Sequence, residues 1–354
     1  MTKEPPVTFQ VSVIVPILEP LGFEYNWFKH FEPSLDSAIS ELTLLTTSDL
    51  HLTEYKAEKL GLRVRKGSKS RKRRTVTIGG HKLPRRRCVE LEWSVELTLT
   101  DFRVERNDGK PIPLSERVAL CAQVASEGFA HAVTSILVAS QIAKPGVLRT
   151  YELEIWLGKR FLKTTEGVFG SFGEIVEFAG EKAWPNIESL SIKQVWQWMC
   201  FFDPLSGNLG QSEIGRALNA LTHLLSEKPI EGRELVDLMW AMIGLEALYG
   251  RGTTDLTYQL VEKARVLLGQ SAGFEKSVKE MYRFRSLFIH GKAPFPGAFF
   301  ASDAMPEYER HINEASDASF LAAAVLVASL QQIAKRNWKS LSFSLVVDEP
   351  RRES

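Results

Sequence analysis

One arginine and one histidine, Arg285 and His290, lie five positions apart in the segment EMYRFRSLFIHGK, residues 280–292. The guanidinium of arginine stays charged and can bind two phosphoryl oxygens at once, while histidine can remove or deliver a proton near neutral pH. These two side chains suit cleavage of RNA, because histidine can act on the ribose 2′-hydroxyl or the leaving oxygen while arginine stabilises the phosphoryl charge. With the 2′-hydroxyl as nucleophile, we expect no metal ion or other cofactor, products ending in a 2′,3′-cyclic phosphate, and no cleavage of DNA.

The helical period of residues 273–291 predicts how these two side chains are placed. Arg285 falls at the centre of an apolar stripe, where its charge must reach a carboxylate, carbonyl groups, a cleft or a subunit interface. The stripe is formed by Phe274, Val278, Met281 and Phe288. An ideal helix separates residues 285 and 290 by about 140°. We therefore expect two subunits to bring their pairs together across an interface, with distortion of the helix at Gly291 contributing.

The run MYRFRSLFIHG resembles the LYxxRSxxVHG signature of HEPN domains, in particular the Apea-like branch. The upstream residues 244–249, GLEALY, and 260–269, LVEKARVLLG, occur in the order and spacing of that branch. The resemblance covers about residues 190–340 and is strongest over 240–292. Ser286 matches the Apea-like signature, whereas many active HEPN nucleases carry Asn, Asp or His there.

The resemblance implies a helical bundle that dimerises and cuts RNA without a metal ion, with Arg285 and His290 as the catalytic Arg-x4–6-His motif. It also implies a role in prokaryotic defence against phage or in toxin-like RNA cleavage, with a regulatory or antitoxin partner. The alternative is a non-catalytic HEPN module that binds RNA or a protein partner. In that case Arg285 forms a structural ion pair with Glu246, and His290 caps its helix.

Two further residues are candidates for supporting roles. Glu246, on an upstream helix, could orient Arg285 or simply form a structural ion pair with it. Tyr282, one turn before Arg285, could stack or hydrogen-bond at the site, or it could pack in an interface.

A basic segment in the first half of the chain is a candidate nucleic-acid contact. Residues 59–89 hold 13 Lys and Arg and no Asp or Glu, although the net charge of the chain is only +1. Such a segment can bind the phosphate backbone, or it can be a solvated loop. Its densest part comprises Arg71, Lys72, Arg73, Arg74, Arg85, Arg86 and Arg87.

The hydrophobic pattern predicts an α+β N-terminal domain, residues 1–185, followed by an all-helical domain, residues 186–340. Residues 341–354 are expected to add an edge strand, over 341–347, and a loose tail. In the second domain, helices are expected at 190–202, 212–226, 231–250, 254–269, 273–291 and 306–337, with Gly250, Gly269 and Gly291 as C-terminal caps.

The first domain contains several alternating segments. Residues 7–15 predict a half-buried strand, and residues 89–100 predict a strand with one apolar face and one wet face bearing Glu90, Glu92 and Glu96. Two hairpins are expected. The first joins 75–78 to 89–100 through a long basic loop, and the second joins 148–157 to 160–164. Residues 115–143 predict a helix with Ser115 as N-cap.

Composition excludes a mostly disordered or fibrous protein, since 44% of residues are hydrophobic and 25% charged. The three cysteines have no metal-ligand spacing, so we expect no metal site and a reducing compartment. The N-terminal sequence MTKEPPVTF is unlike a secretory signal, and the apolar stretches near 132–139 and 320–330 are shorter than a membrane span. We expect a cytoplasmic protein without a membrane partner.

Overall fold

The structure is a computed structural model of the 354-residue chain. It describes residues 7–17, 34–42, 76–78, 81–83, 87–97, 112–150, 152–166, 172–202, 210–226, 233–252, 255–292 and 306–343. It is a mixed α and β protein, with an antiparallel four-stranded sheet in the N-terminal part and helices over most of the remainder.

The described strands all lie before residue 167, with two helices among them, and the elements described after that point are helices. The strands are β1 (Val7–Ile17), β2 (Val76–Ile78), β3 (His81–Leu83), β4 (Arg87–Leu97), β5 (Glu152–Leu157) and β6 (Arg160–Glu166). The helices are α1 (34–42), α2 (Leu114–Ala143), α3 (Phe172–Glu181), α4 (Ile192–Cys200), α5 (Glu213–Ser226), α6 (Arg233–Tyr249), α7 (Leu256–Leu268), α8 (Phe274–Ile289) and α9 (Pro306–Lys335).

The chain forms two compact units, and neither is continuous in sequence. Unit 1 comprises residues 1–177, 188–200 and 222–230, and unit 2 comprises 178–187, 201–221 and 231–354. Helix α4 thus belongs to unit 1, although it lies in the all-helical part of the sequence. The domain boundary expected at residues 185 and 186 stays a prediction.

In unit 1, the sheet has the strand order β4-β1-β5-β6, and each neighbouring pair is antiparallel. The strands predicted at 7–15 and 89–100 are confirmed, and they pair with each other from Val7 opposite Leu97 to Ile17 opposite Arg87. The hairpin predicted across Gly158-Lys159 is confirmed as β5 and β6.

The hairpin expected between 75–78 and 89–100 is wrong. Strand β2 pairs with β3 across Gly79-Gly80, in a two-stranded sheet of its own, and β4 pairs with β1. A two-residue Gly-Gly connection is a strong local hairpin signal, because glycine readily adopts the positive φ angles of tight turns. The sequence Gly79-Gly80 between the two strands is such a signal and favours the short hairpin.

The second face of the sheet is also buried, which corrects the expectation of a half-buried β1 and a wet acidic face on β4. Ile14 is fully buried with Trp156, and Phe161 packs against them, because β1 is a central strand. Glu90 lies opposite Ile14 and Glu92 opposite Ser12, and both glutamates are buried. Each has polar or electrostatic interactions that compensate the burial of its charge. The side chain of Glu96 lies outside the described residues.

Helix α2 confirms the prediction for residues 115–143 and packs on β1, β5 and α4. Its N-cap is Pro113, not Ser115, and no side chain caps the helix. At the start of α4, the Ile192 N–H donates to a Glu41 carboxylate oxygen at 2.6 Å, and that carboxylate also lies 3.2 Å from the Lys144 ammonium. An acidic group at a helix N-terminus is favourable, so this contact helps to hold α4 in unit 1.

In unit 2, helices α6 to α9 pack together, and each of them was predicted from its apolar period. The closest packing occurs where Gly244 of α6 faces α9. A Cβ atom on Gly244 would lie 2.8 Å from one methyl carbon of Leu326, so glycine allows the two helices to approach. Gly269 and Gly291 adopt the positive φ angles of helix C-caps, and Gly250 follows the last residue of α6.

Helix α9 forms the core of unit 2. The stretch Arg310–Lys335 has the length and composition of a membrane span, but 83% of its apolar window is buried inside the structure. This burial is typical of the core helix of a soluble protein, and it confirms the expectation that 320–330 is a buried helix. The described part of the expected terminal strand, residues 341–343, is not a strand, and residues 344–354 lie outside the described residues.

Candidate functional site

Helix α8 carries both predicted catalytic residues, and its C-terminal end sets the position of His290. The helix ends at Ile289, His290 is the C-cap, and Gly291 follows with φ +64°. The Gly291 N–H donates to the Phe288 carbonyl at 3.0 Å, and the Lys292 N–H donates to the Leu287 carbonyl at 2.8 Å. This pair of hydrogen bonds is the Schellman motif, in which a glycine reverses the backbone and satisfies the last carbonyls.

The buried face of α8 differs by one residue from the predicted stripe. Phe274, Val278, Met281 and Phe284 are buried, whereas Phe288 is only half-buried. On a helical wheel Arg285 still falls within this face, but the residue itself is only half-buried. Its side chain retains 19% exposure, which lets part of a permanently charged group reach solvent.

Arg285 forms an ion pair with Glu246 of α6. The Nη2 atom of Arg285 lies 3.1 Å from Oε1 of Glu246 and donates a hydrogen bond to Oε2 at 3.3 Å. One nitrogen therefore faces both carboxylate oxygens, in place of the bidentate arrangement in which two nitrogens each bind one oxygen. The Nε atom of Arg285 is buried and has no hydrogen-bond partner among the described residues.

Tyr282 completes a cluster around the Glu246 carboxylate. The Arg285 guanidinium carbon lies 5.7 Å from the centre of its ring, and its hydroxyl lies close enough to the Glu246 carboxylate to feel that group's charge. Burial, followed by the negative charge of Glu246, raises the pKa of Tyr282 above its ordinary value. Arg285, Glu246 and Tyr282 therefore form one polar cluster, which we call the RYE cluster, with a shared carboxylate at its centre.

His290 lies outside the RYE cluster. Its side chain is exposed, and it makes no hydrogen bond or ion pair with other residues in the described part of the chain. Its backbone N–H donates to the Ser286 carbonyl at 3.1 Å, which is a main-chain hydrogen bond of the last helical turn. Because α8 is regular up to Ile289, about 140° of rotation and about 7.5 Å of rise separate positions 285 and 290.

The described residues contain no group of three or more His, Cys, Asp or Glu side chains placed to hold a metal ion. The RYE cluster can present a positively charged group to an anion, and His290 can exchange a proton with solvent or with a bound molecule.

Comparison of the chain with models of protein families, with curated proteins and with solved structures gives no match. The resemblance to HEPN domains thus depends on the sequence motifs alone. Glu246 does contact Arg285, as both the catalytic and the structural interpretation expect.

The basic segment falls largely outside the described residues. Arg71, Lys72, Arg73, Arg74, Arg85 and Arg86 are among the residues that are not described, and Arg87 is the first residue of β4. Its proposed contact with nucleic acid stays a prediction.

Two features of the site were missed in the sequence. Phe284 is part of the buried face, which follows from its three-residue spacing from Met281. The interaction of Tyr282 with Glu246 joins residues 36 positions apart, so no local pattern could indicate it.

Proposed function

We propose that this protein is a metal-independent endoribonuclease of HEPN type. The observation that carries the proposal is that Arg285 is anchored by Glu246 at a partly exposed position, on the same helix that ends in the exposed His290. An anchored arginine has fewer conformations to lose when it binds a phosphate, and an exposed histidine can reach a substrate.

In the proposed reaction, a histidine removes the proton of a ribose 2′-hydroxyl, and the 2′-oxygen attacks the adjacent phosphorus. The bond from phosphorus to the 5′-oxygen breaks, and that oxygen receives a proton. The products end in a 2′,3′-cyclic phosphate and a 5′-hydroxyl. Arg285 stabilises the negative charge that builds on the phosphoryl oxygens during the attack.

The geometry of α8 supports a homodimer as the active species. Arg285 and His290 of one chain point to different sides of the helix, so one phosphate is reached most simply by side chains from two copies. A C2 dimer would place the same surface of each chain at the interface and create two equivalent pairs. The proposal includes a cytoplasmic location and a role in prokaryotic defence or toxin-like cleavage, with the N-terminal unit or a partner protein controlling activity.

The second candidate is a non-catalytic HEPN module that binds RNA or a protein partner. It is favoured by the ion pair itself, because an arginine engaged with Glu246 has a structural role without any substrate. The position of His290 as helix C-cap is equally sufficient for a structural role.

One experiment separates the two candidates. Purified protein is incubated with RNA in EDTA, beside Arg285→Ala and His290→Ala variants. The matched controls are Arg283→Ala, an exposed arginine of the same helix, and His223→Ala, an exposed histidine in the last turn of α5. We expect cleavage by the wild type and both controls and its loss in the two site variants. Cleavage that survives both site substitutions excludes this site, and the absence of any cleavage together with RNA binding favours the module.

A further inference from the structure

A cavity of about 490 Å³ lies in unit 2 among the end of α3, α8 and α9. Its volume falls in the range of pockets that bind small molecules, about 300–1,000 Å³. None of the residues of the RYE cluster lines it, so the cavity is separate from the proposed nuclease site.

The floor of the cavity is aromatic and apolar. Trp184, Phe274, Met281 and Phe284 line it and are all buried. The edge of the Trp184 ring system packs against Phe274, with 4.5 Å between ring centres. Buried rings that contact one another form a rigid surface, on which a planar apolar group can pack at little cost in side-chain entropy.

The α9 side of the cavity mouth is acidic. Glu314 and Asp317 are exposed and lie one turn apart on α9, and both line the cavity. Neither forms a hydrogen bond or ion pair with other residues in the described ranges. Their charges are therefore available to a ligand.

Two cations and one more carboxylate lie elsewhere around the mouth. The Lys182 ammonium lies 5.2 Å from the centre of the Phe178 ring, and Glu280 pairs with Lys276 at 3.9 Å, outside the cavity. Arg283 lines the α8 side. The charges are thus separated across the opening, and a positively charged ligand group is attracted to the α9 side.

Trp184 supplies an independent indication of a ligand. Its side chain is 6% exposed, and its indole N–H is buried without a hydrogen-bond partner among the described residues. An unsatisfied buried donor costs about 1–3 kcal/mol. A hydrogen-bond acceptor brought by a ligand into this cavity would satisfy it after a small adjustment of the ring.

We propose that this cavity is a binding site for a small arylalkyl amine, with its ring on the floor formed by Trp184, Phe274 and Phe284 and its protonated nitrogen at Glu314 and Asp317. A ligand whose ring also carries a hydrogen-bond acceptor would place that atom at the Trp184 indole N–H. A phosphate-bearing ligand is disfavoured, because three carboxylates and two cations surround the opening. The proposal is independent of RNA cleavage.

Three probes that share one ring system test it on the full-length protein. Phenethylamine is positively charged, 2-phenylethanol is neutral and carries an acceptor, and phenylacetate is negatively charged. Binding is measured by calorimetry and by NMR line broadening of the probes. We expect phenethylamine to bind about three- to tenfold more tightly than the alcohol, because ion pairs at an exposed rim contribute little. Phenylacetate should bind most weakly.

Two variants test separately the contribution of the carboxylates and the need for the open cavity. Glu314→Gln with Asp317→Asn should reduce phenethylamine binding to the level of the alcohol and leave alcohol binding unchanged. Ser277→Trp places a large ring at an exposed position of the cavity wall and should abolish binding of all three probes. The control is Glu127→Gln with Glu181→Gln, which removes two exposed carboxylates that do not line the cavity.

Several results would overturn the proposal. These are equal binding of the three probes, no binding of any probe up to about 10 mM, the weak limit for small ligands, or binding that Ser277→Trp leaves unchanged. The Arg285→Ala variant should bind phenethylamine like the wild type, whether or not it cleaves RNA. This comparison keeps the cavity and the nuclease site experimentally separate.

Discussion

Arg285 meets Glu246 through a single nitrogen, with Nη2 placed 3.1 Å from Oε1 and 3.3 Å from Oε2. Both side chains are partly exposed, at 19% and 24%, so the pair is neither a solvated surface contact nor a fully buried one. Because the charge of the same carboxylate also acts on Tyr282, the loss of Glu246 affects two side chains of α8 together.

Replacing Glu246 with Gln should lower the pKa of Tyr282, because the negative charge that disfavours the tyrosinate is removed. Burial remains, so the pKa should stay above that of an exposed tyrosine. The measurement is an alkaline titration followed by NMR of the Tyr282 ring. Glu262→Gln, which removes a carboxylate paired with Arg265 on α7, is the control and should leave this pKa unchanged.

The raised pKa of Tyr282 also predicts how stability depends on pH. A raised folded-state pKa contributes stability that is fully present below the unfolded pKa of about 10 and is lost as the pH rises through the folded value. Tyr282→Phe removes this dependence. We therefore expect the wild type to lose stability relative to Tyr282→Phe as the pH rises above about 10, as measured by urea denaturation. A constant difference between the two proteins over that range would contradict the assigned shift.

The cap at Gly291 should matter for cleavage as well as for stability. Gly291→Ala forces a residue with a Cβ atom into φ +64°, at a cost of about 1–2 kcal/mol, and should shift the adjacent His290. Gly273→Ala is a matched control, because Gly273 has φ +77° in the left-handed region and is the N-cap at the other end of α8. We expect both variants to lose similar stability in thermal denaturation.

Only Gly291→Ala should reduce RNA cleavage, by roughly 10- to 100-fold. The two rates are compared at a temperature where both variants remain folded. Equal cleavage by the two variants would show that the backbone at His290 does not set the rate.

Gly244→Ala should destabilise unit 2 by about 1–3 kcal/mol, because the added methyl group would lie within 3.0 Å of both Leu326 methyl carbons. Combining it with Leu326→Ala should cost less than the sum of the two single changes, since the new methyl group partly fills the cavity left by leucine. Denaturant unfolding of the four proteins measures this coupling. Gly180→Ala, in α3 with open space around it, is the control and should be neutral or stabilising.

Glutamine substitutions in the basic segment should weaken RNA binding and reduce the dependence of the binding constant on salt. The substituted residues are Arg71, Lys72, Arg73 and Arg74. Each lost phosphate contact lowers the slope of log K against log salt by about 0.7–0.9. The control replaces Lys276 and Lys279, two exposed lysines of α8, with glutamine. If the salt slope of the basic-segment variant equals that of the wild type, the basic segment is a solvated loop without a role in binding.

Local sequence patterns predicted the helices of the second half of the chain and several of their ends. The apolar period predicted α6 to α9, and Gly269 and Gly291 predicted caps at which the backbone does adopt positive φ. These features depend on interactions within a few residues of the chain, which a local pattern contains. The sequence also indicates Glu246 as a candidate partner of Arg285.

Only the tertiary structure decided which faces are buried and which distant side chains meet. The alternation in β4 indicated a strand but placed Glu90 and Glu92 in water, whereas both are buried because β1 is central and its second face is covered. The interaction of Tyr282 with Glu246 and the packing of α4 on α2 likewise join residues far apart in the chain. Whether a side chain is buried, and which distant residue it contacts, depends on the element that packs against it. The local hydrophobic period does not identify that element.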